Sequence, residues 1–69
     1  MKQIGPVIVM DPWEAYVAGK VIREAFQEGL IREQQQKKGS WHFTCSDVEA
    51  AEEVARRIGE HLASISEAA

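Results

Sequence analysis

The sequence has a single cysteine, few aromatic residues and no long apolar run. Its 69 residues include one Cys, two Trp, one Tyr and two Phe. One Cys cannot form an intrachain disulfide, the usual staple of small secreted domains, so we expect a reducing, cytoplasmic location. The apolar run near the N-terminus stops at Asp11, and is therefore too short for a signal peptide or a membrane-spanning helix. We expect no membrane partner.

The length and charge of the chain narrow the classes further. A chain of 69 residues is expected to be one domain over residues 1–69, and a domain of this size buries only about 60% of its unfolded surface. With so few aromatic residues the monomer is marginal, which favours self-association. The net charge of −3 argues against a dedicated DNA-binding domain, because such domains carry a strongly basic face.

Residues with reactive side chains are present, but not in catalytic patterns. The five glycines never cluster into a phosphate-binding loop, and no Cys or His pair has metal-ligand spacing. His42 and Cys45 are an odd number of residues apart, so on a strand they lie on opposite faces and cannot form a dyad. We therefore predict no catalytic residue, no cofactor and no metal, and we expect that the protein is not an enzyme.

The first half of the sequence predicts a strand over residues 3–10 and a helix over residues 12–28. Asp11 is a good N-cap with Glu14 at the third helical position, and Gly29 is a typical C-terminal stop. Helical spacing predicts the buried face, which comprises Ala15, Ala18, Val21, Ile22, Ala25 and Phe26.

Residues 30–45 are compatible with two structures. A helix that continues to Lys38 would give the order βαβα. We prefer a hairpin with a three-residue loop at residues 37–39, because this register separates apolar from polar side chains. Its pairs are Gln35–Trp41, Glu33–Phe43 and Ile31–Cys45. The predicted polar face comprises Arg32, Gln34, Gln36, His42 and Thr44.

The last third of the sequence predicts a long helix that reaches Ser66. Ser46 is its expected N-cap, and Glu49 completes a capping box. The predicted fold is thus a small α+β domain of order βαββα, a ferredoxin-like split unit that lacks its last strand. Its first strand is apolar on both faces and leaves a sheet edge exposed, so we expect that a second copy covers it in a homodimer.

These features favour a protein that binds another protein. Trp13 and Tyr16 lie at or beyond the margin of the apolar helix face, and both residue types are favoured at interfaces. We predict a small non-enzymatic regulator or inhibitor that acts through a protein–protein interface as a homodimer. The alternative is a nucleic-acid-binding module that uses the hairpin at residues 32–42. The candidate partner-binding residues are Trp13, Tyr16, Arg32, Gln34, Gln36, Lys37, Lys38 and His42.

Overall fold

The computed structural model describes residues 1–68, and the side chains of residues 1–66. The chain forms one four-stranded antiparallel sheet with helices packed on one face. The predicted small α+β class is confirmed. The sheet order is β1-β2-β4-β3. No helix within the described residues has both the length and the apolar composition needed to cross a membrane. The elements are β1 (Lys2–Ile4), β2 (Val7–Met10), α1 (Pro12–Val17), α2 (Gly19–Gln27), β3 (Ile31–Lys37), β4 (Ser40–Cys45) and α3 (Val48–Ala68).

An N-terminal hairpin replaces the single predicted strand. Ile4 pairs with Val7, so Gly5 and Pro6 form a two-residue turn between β1 and β2. Gly5 has a φ of 58°, which suits the first position of a type II′ turn. The prediction of one strand over residues 3–10 is wrong because the Gly-Pro pair interrupts it. The element order is therefore ββααββα rather than βαββα.

The predicted first helix is two helices that meet at Ala18. The capping box is confirmed, since the Asp11 carboxylate accepts a hydrogen bond from the Glu14 amide at 2.8 Å and the Glu14 side chain accepts one from the Asp11 amide. Nε2 of His61 on α3 donates a hydrogen bond of 3.1 Å to the carbonyl oxygen of Val17. This bond satisfies a backbone group at the end of α1, where the helical hydrogen-bond pattern is interrupted.

The second helix ends as the sequence predicts. Gly29 has a φ of 80°, and its amide donates to the carbonyl of Phe26 while the Leu30 amide donates to that of Ala25. These two bonds form a Schellman motif, which favours Gly because the position is left-handed. The chain then enters β3 at Ile31, so the alternative βαβα order is wrong.

The β3–β4 hairpin forms with a shorter loop than predicted. Lys37 pairs with Ser40, and the two loop residues Lys38 and Gly39 have φ values of 42° and 81°. Positive φ at both positions is the pattern of a type I′ turn. A bulge at Arg32 absorbs the extra residue, so that Ile31 still pairs with Cys45 as predicted.

Between the turn and the bulge, the predicted register of this hairpin is wrong by one residue. Gln34 lies opposite Phe43 and Gln36 lies opposite Trp41. Since directly paired residues project to the same face, both glutamines belong to the helix-covered face of the sheet rather than to the predicted polar face.

The C-terminal helix starts one residue later than expected and packs over the sheet. The Asp47 carboxylate accepts a hydrogen bond of 2.7 Å from the Ala50 amide, so Asp47 rather than Ser46 is the N-cap. Ala51, Val54 and Ile58 on this helix are 0% exposed. The full buried core comprises Ile8, Met10, Ala18, Ile22, Ala25, Ile31, Phe43, Cys45, Ala50, Ala51, Val54 and Ile58.

Candidate functional site

An apolar groove lies between the first two helices and the β3–β4 hairpin. Its volume is about 710 Å³, which falls within the range of about 300–1,000 Å³ that is typical of ligand-binding clefts. Its lining comprises Pro12, Ala15, Tyr16, Gly19, Ile22, Arg23, Phe26, Gln34, Trp41 and Phe43. Four of the five aromatic side chains of the protein therefore meet at this one surface.

The helical wall of the groove is a stripe with a spacing of three and four residues. Tyr16, Gly19, Arg23 and Phe26 follow one another along α1 and α2, which places them on one side of the two helices. A Cβ atom added at Gly19 would meet nothing within 4 Å. The absence of a side chain at this residue therefore leaves open space in the middle of the wall.

The floor of the groove consists of aromatic rings from the central part of the sheet. Trp41 and Phe43 lie two residues apart on β4, and their rings stack with centroids 6.4 Å apart and an interplanar angle of 20°. Phe43 is buried, whereas Trp41 is only half-buried. The exposed part of the Trp41 ring gives a ligand an aromatic surface with one N–H donor.

The groove contains one charged side chain, that of Arg23. Arg23 lines it, the remaining lining residues carry no acid, and Arg23 belongs to none of the ion pairs formed by the described side chains. Gln34 adds an amide that can donate or accept hydrogen bonds. The site thus combines a large aromatic surface with a single positive charge, which favours a ligand that carries a carboxylate beside an apolar group.

Of the eight predicted partner-binding residues, the groove brings together two, Tyr16 and Gln34. Trp13 is on the same helix and is 65% exposed, but it does not line the groove. His42 is half-buried on β4, between the two core-facing residues Trp41 and Phe43, and so faces the opposite side of the sheet. The other four lie exposed along β3 and its turn: Arg32, Gln36, Lys37 and Lys38.

Sequence reasoning missed most of the groove. Helical spacing places Phe26 on the core face and Arg23 on the solvent face, whereas both line the same opening. A signal was present in the alternation of three- and four-residue steps from Pro12 to Phe26, which runs beside the buried stripe. The missing information was the position of the hairpin, since the aromatic floor comes from β4.

Cys45 is a core residue and does not line the groove. Cys45 is 3% exposed in the core, and burial, with a smaller contribution from the charge of Asp47, raises the pKa of its thiol. A raised pKa disfavours the thiolate, the reactive form. Among the described residues, no three His, Cys, Asp or Glu side chains are grouped closely enough to hold a metal ion.

An ion-pair network lies on the opposite side of the helical layer. Arg57 of α3 pairs with Glu28 at the end of α2 and with Glu53, at 2.7 Å in each case, and Arg56 pairs with Glu53 and Glu60. The pKa of Glu53 is lowered to about 2, mainly by the hydrogen bonds that Arg56 donates to its carboxylate and next by the one from Arg57. Of these four pairs, the one between Arg57 and Glu28 joins the end of α2 to α3, and the other three lie within α3.

Comparison of this chain with models of known protein families, with characterised proteins and with solved structures finds no match.

Proposed function

We propose that the protein is a small non-enzymatic regulator or inhibitor that binds a segment of another protein in its apolar groove and that is itself a homodimer. The observation that carries the binding role is the convergence of Tyr16, Phe26, Trp41 and Phe43 around one open cleft. Tyr and Trp are enriched among the few residues that dominate binding energy at protein interfaces, because they offer a large, rigid contact area.

The charge of the groove determines the chemistry of the proposed segment. Arg23 is the only charged residue of the lining, and an acidic side chain of the ligand would form a charge-assisted hydrogen bond with it. The aromatic floor accepts a bulky apolar side chain. We therefore propose a ligand segment in which an aromatic or branched aliphatic residue is followed or preceded closely by Asp or Glu.

Selection from a random peptide display library tests this proposal even though the partner is unidentified. Enriched peptides are expected to contain the apolar and acidic pair. They should bind the wild-type protein, and the Gly19→Leu variant should abolish binding because the new side chain occupies the open middle of the wall. Gly59→Leu on α3 is the matched control, since a Cβ there also meets nothing within 4 Å and residue 59 does not line the groove.

A charge-reversal variant tests separately whether the groove prefers an acidic ligand. Arg23→Glu should weaken binding of the selected peptides by about tenfold or more, because a favourable charge pair becomes a repulsive one. A library that yields no enriched peptide, or peptides that bind Gly19→Leu as tightly as the wild type, contradicts the proposed role of the groove.

Nucleic-acid binding through residues 32–42 is the weaker alternative. Base stacking would need an aromatic ring on the exposed face of the sheet, and Trp41 instead faces the helices. The exposed basic residues Arg32, Lys37 and Lys38 remain as its support. Gel shifts at low salt with single-stranded RNA and DNA test it, and a Lys37→Glu/Lys38→Glu variant should remove any complex that forms there.

Two finer predictions stay proposals. The arrangement of β4 between β2 and β3, antiparallel to both, supports a ferredoxin-like split β-α-β unit, to which β1 adds a fourth strand. The buried Cys45 is compatible with the reducing conditions of the cytoplasm.

A further inference from the structure

We infer that two copies of the chain pair along β3, with Glu33 of each copy opposite Lys37 of the other. This inference rests on the proposed homodimer but places its surface on β3, because the apolar strand expected to form the edge is β2, which lies between β1 and β4. β3 is an edge of the sheet, since β4 is its only neighbour among the described strands. It is also the longest strand, and its residues from Arg32 to Lys37 are all exposed.

The turn geometry determines which backbone groups of β3 are free. In the two-residue turn, Lys37 and Ser40 are the first hydrogen-bonded pair. Bonded and non-bonded pairs alternate along an antiparallel ladder, so Gln35 is also bonded to β4, whereas the amides and carbonyls of Gln34 and Gln36 point away from it. These four groups can bond to another strand.

A two-fold axis limits the possible registers of such a pairing. Antiparallel strands from two copies exchange hydrogen bonds only where both residues present free groups, so Gln34 and Gln36 must pair with each other or with themselves. If Gln34 pairs with Gln36 of the second copy, Gln35 meets its own equivalent on the axis. Glu33 then lies directly opposite Lys37 of the second copy, and Lys37 opposite Glu33.

Only this register brings the opposite charges together. If Gln34 paired with itself, Glu33 would face Gln35, and if Gln36 paired with itself, Lys37 would face Gln35. Within one chain, Glu33 and Lys37 are four residues apart on a strand, about 13 Å, and do not contact each other. Directly opposite residues in a non-bonded pair are close, so both charge pairs of the dimer would form.

Charged residues on edge strands more often prevent pairing than promote it. The charges on β3 differ from such a repelling pattern in their spacing. Glu33 and Lys37 lie two residues before and two residues after Gln35, so a two-fold axis at Gln35 brings opposite charges together. Arg32 lies in the bulge and Lys38 in the turn, so neither like charge enters the paired segment. The resulting sheet has eight strands, and the two grooves lie on the same side of it, on either side of the axis.

Reciprocal charge reversal tests the register. Sedimentation analysis of the wild type should show a mass that rises from 7.7 kDa toward twice this value with concentration. Glu33→Lys and Lys37→Glu each place two like-charge pairs in the interface and should weaken dimerisation by about tenfold or more. The double variant restores both pairs and should dimerise like the wild type.

Mixing the two single variants is the sharper experiment. A chain with Glu33→Lys has lysine at both positions and a chain with Lys37→Glu has glutamate at both, so the mixture should form heterodimers at concentrations where each variant alone is mainly monomeric. With one variant labelled with ¹⁵N, native mass spectrometry distinguishes the two chains, whose unlabelled masses are almost equal. If the mixture shows no heterodimer, or the double variant stays monomeric although its circular dichroism matches the wild type, the proposed register is wrong.

Proline substitutions separate the two sheet edges. Gln36→Pro removes an N–H group that faces the free edge of β3. An edge strand tolerates Pro at such a position, so the fold should remain, but the dimer should be lost because the second copy loses a hydrogen-bond donor. Gln3→Pro is the matched control on the edge of β1, the strand next to the turn at Gly5 and Pro6. A dimer that survives Gln36→Pro and is lost in Gln3→Pro contradicts the β3 pairing but not the homodimer. A wild-type protein that is monomeric at millimolar concentration contradicts both, and peptide binding to the groove is measured independently of either.

Discussion

The two sides of the helical layer differ in how completely they are packed. On the α3 side, small aliphatic residues fill the space, and Ile8, Val54 and Ile58 are 0% exposed. On the α1–α2 side, the large rings of Phe26 and Trp41 are only partly buried, and a groove of about 710 Å³ remains between the elements. The shortage of aromatic residues in the sequence is thus a shortage in the core, because most of them border the groove.

Under the proposed role of the groove, stability and binding would depend on different residues of this chain. Small side chains from α3 interdigitate with β2 and β4, as close packing requires. Aromatic residues offer more area per side chain, and on the open side that area stays available to a ligand. Substitutions should therefore affect folding on one side and binding on the other.

The largest effect on stability is expected in the core beneath α3. Ile58→Ala should lower the free energy of unfolding by about 2–4 kcal/mol, because it removes buried methyl groups and leaves a cavity. Tyr16→Ala removes a larger side chain, but Tyr16 is 85% exposed, so its effect on stability should stay within about 0.5 kcal/mol. Urea denaturation measures both, and equal losses in the two variants would contradict the division between the two sides.

A smaller effect is expected at the start of α3. Asp47→Ala should lower the free energy of unfolding by about 1 kcal/mol, because the Ala50 amide loses the carboxylate that caps it. Ser46→Ala is the control, since Ser46 is exposed and precedes the cap. Thermal unfolding followed by circular dichroism compares them. If Ser46→Ala lost more stability than Asp47→Ala, Ser46 would be the N-cap, as the sequence predicts.

The smallest effect is expected in the ion-pair network, and it depends on pH. The pKa of Glu53 is lowered from its ordinary value of 4.5 to about 2, so its contribution to stability is fully present above pH 4.5 and is lost as the pH falls toward 2. Glu53→Gln should therefore flatten the decline in stability over this window. Glu52→Gln on the same helix is the control, and unchanged pH dependence in Glu53→Gln would contradict the role of the network.

Local signals in the sequence identified most of the elements correctly. The capping box at Asp11 and Glu14, the stop at Gly29 and the pairing of Ile31 with Cys45 are all present in the structure. The third holds because the bulge at Arg32 compensates for the shorter loop, whereas the first two depend on residues close together in the chain that have strong conformational preferences. Such preferences act within a short segment, whatever the tertiary structure around it.

The features that were missed depend on how neighbouring elements adjust to each other. The turn at Lys38 and Gly39 contains a lysine with positive φ, which turn statistics do not favour at that position. This shorter loop places Gln34 opposite Phe43 and so in the groove, and the bulge at Arg32 then restores the pairing of Ile31 with Cys45. The groove itself needs the relative positions of Phe26 and Trp41, which come from different elements.

The sheet order has a consequence for the rate at which the protein folds. β1–β2 and β3–β4 are hairpins whose strands are joined by two-residue turns, and such contacts form within microseconds. The pairing of β2 with β4 connects Met10 to Trp41, so the whole intervening segment must close into a loop before the centre of the sheet exists. We therefore expect the entropy of that closure, more than the formation of either hairpin, to set the height of the kinetic barrier.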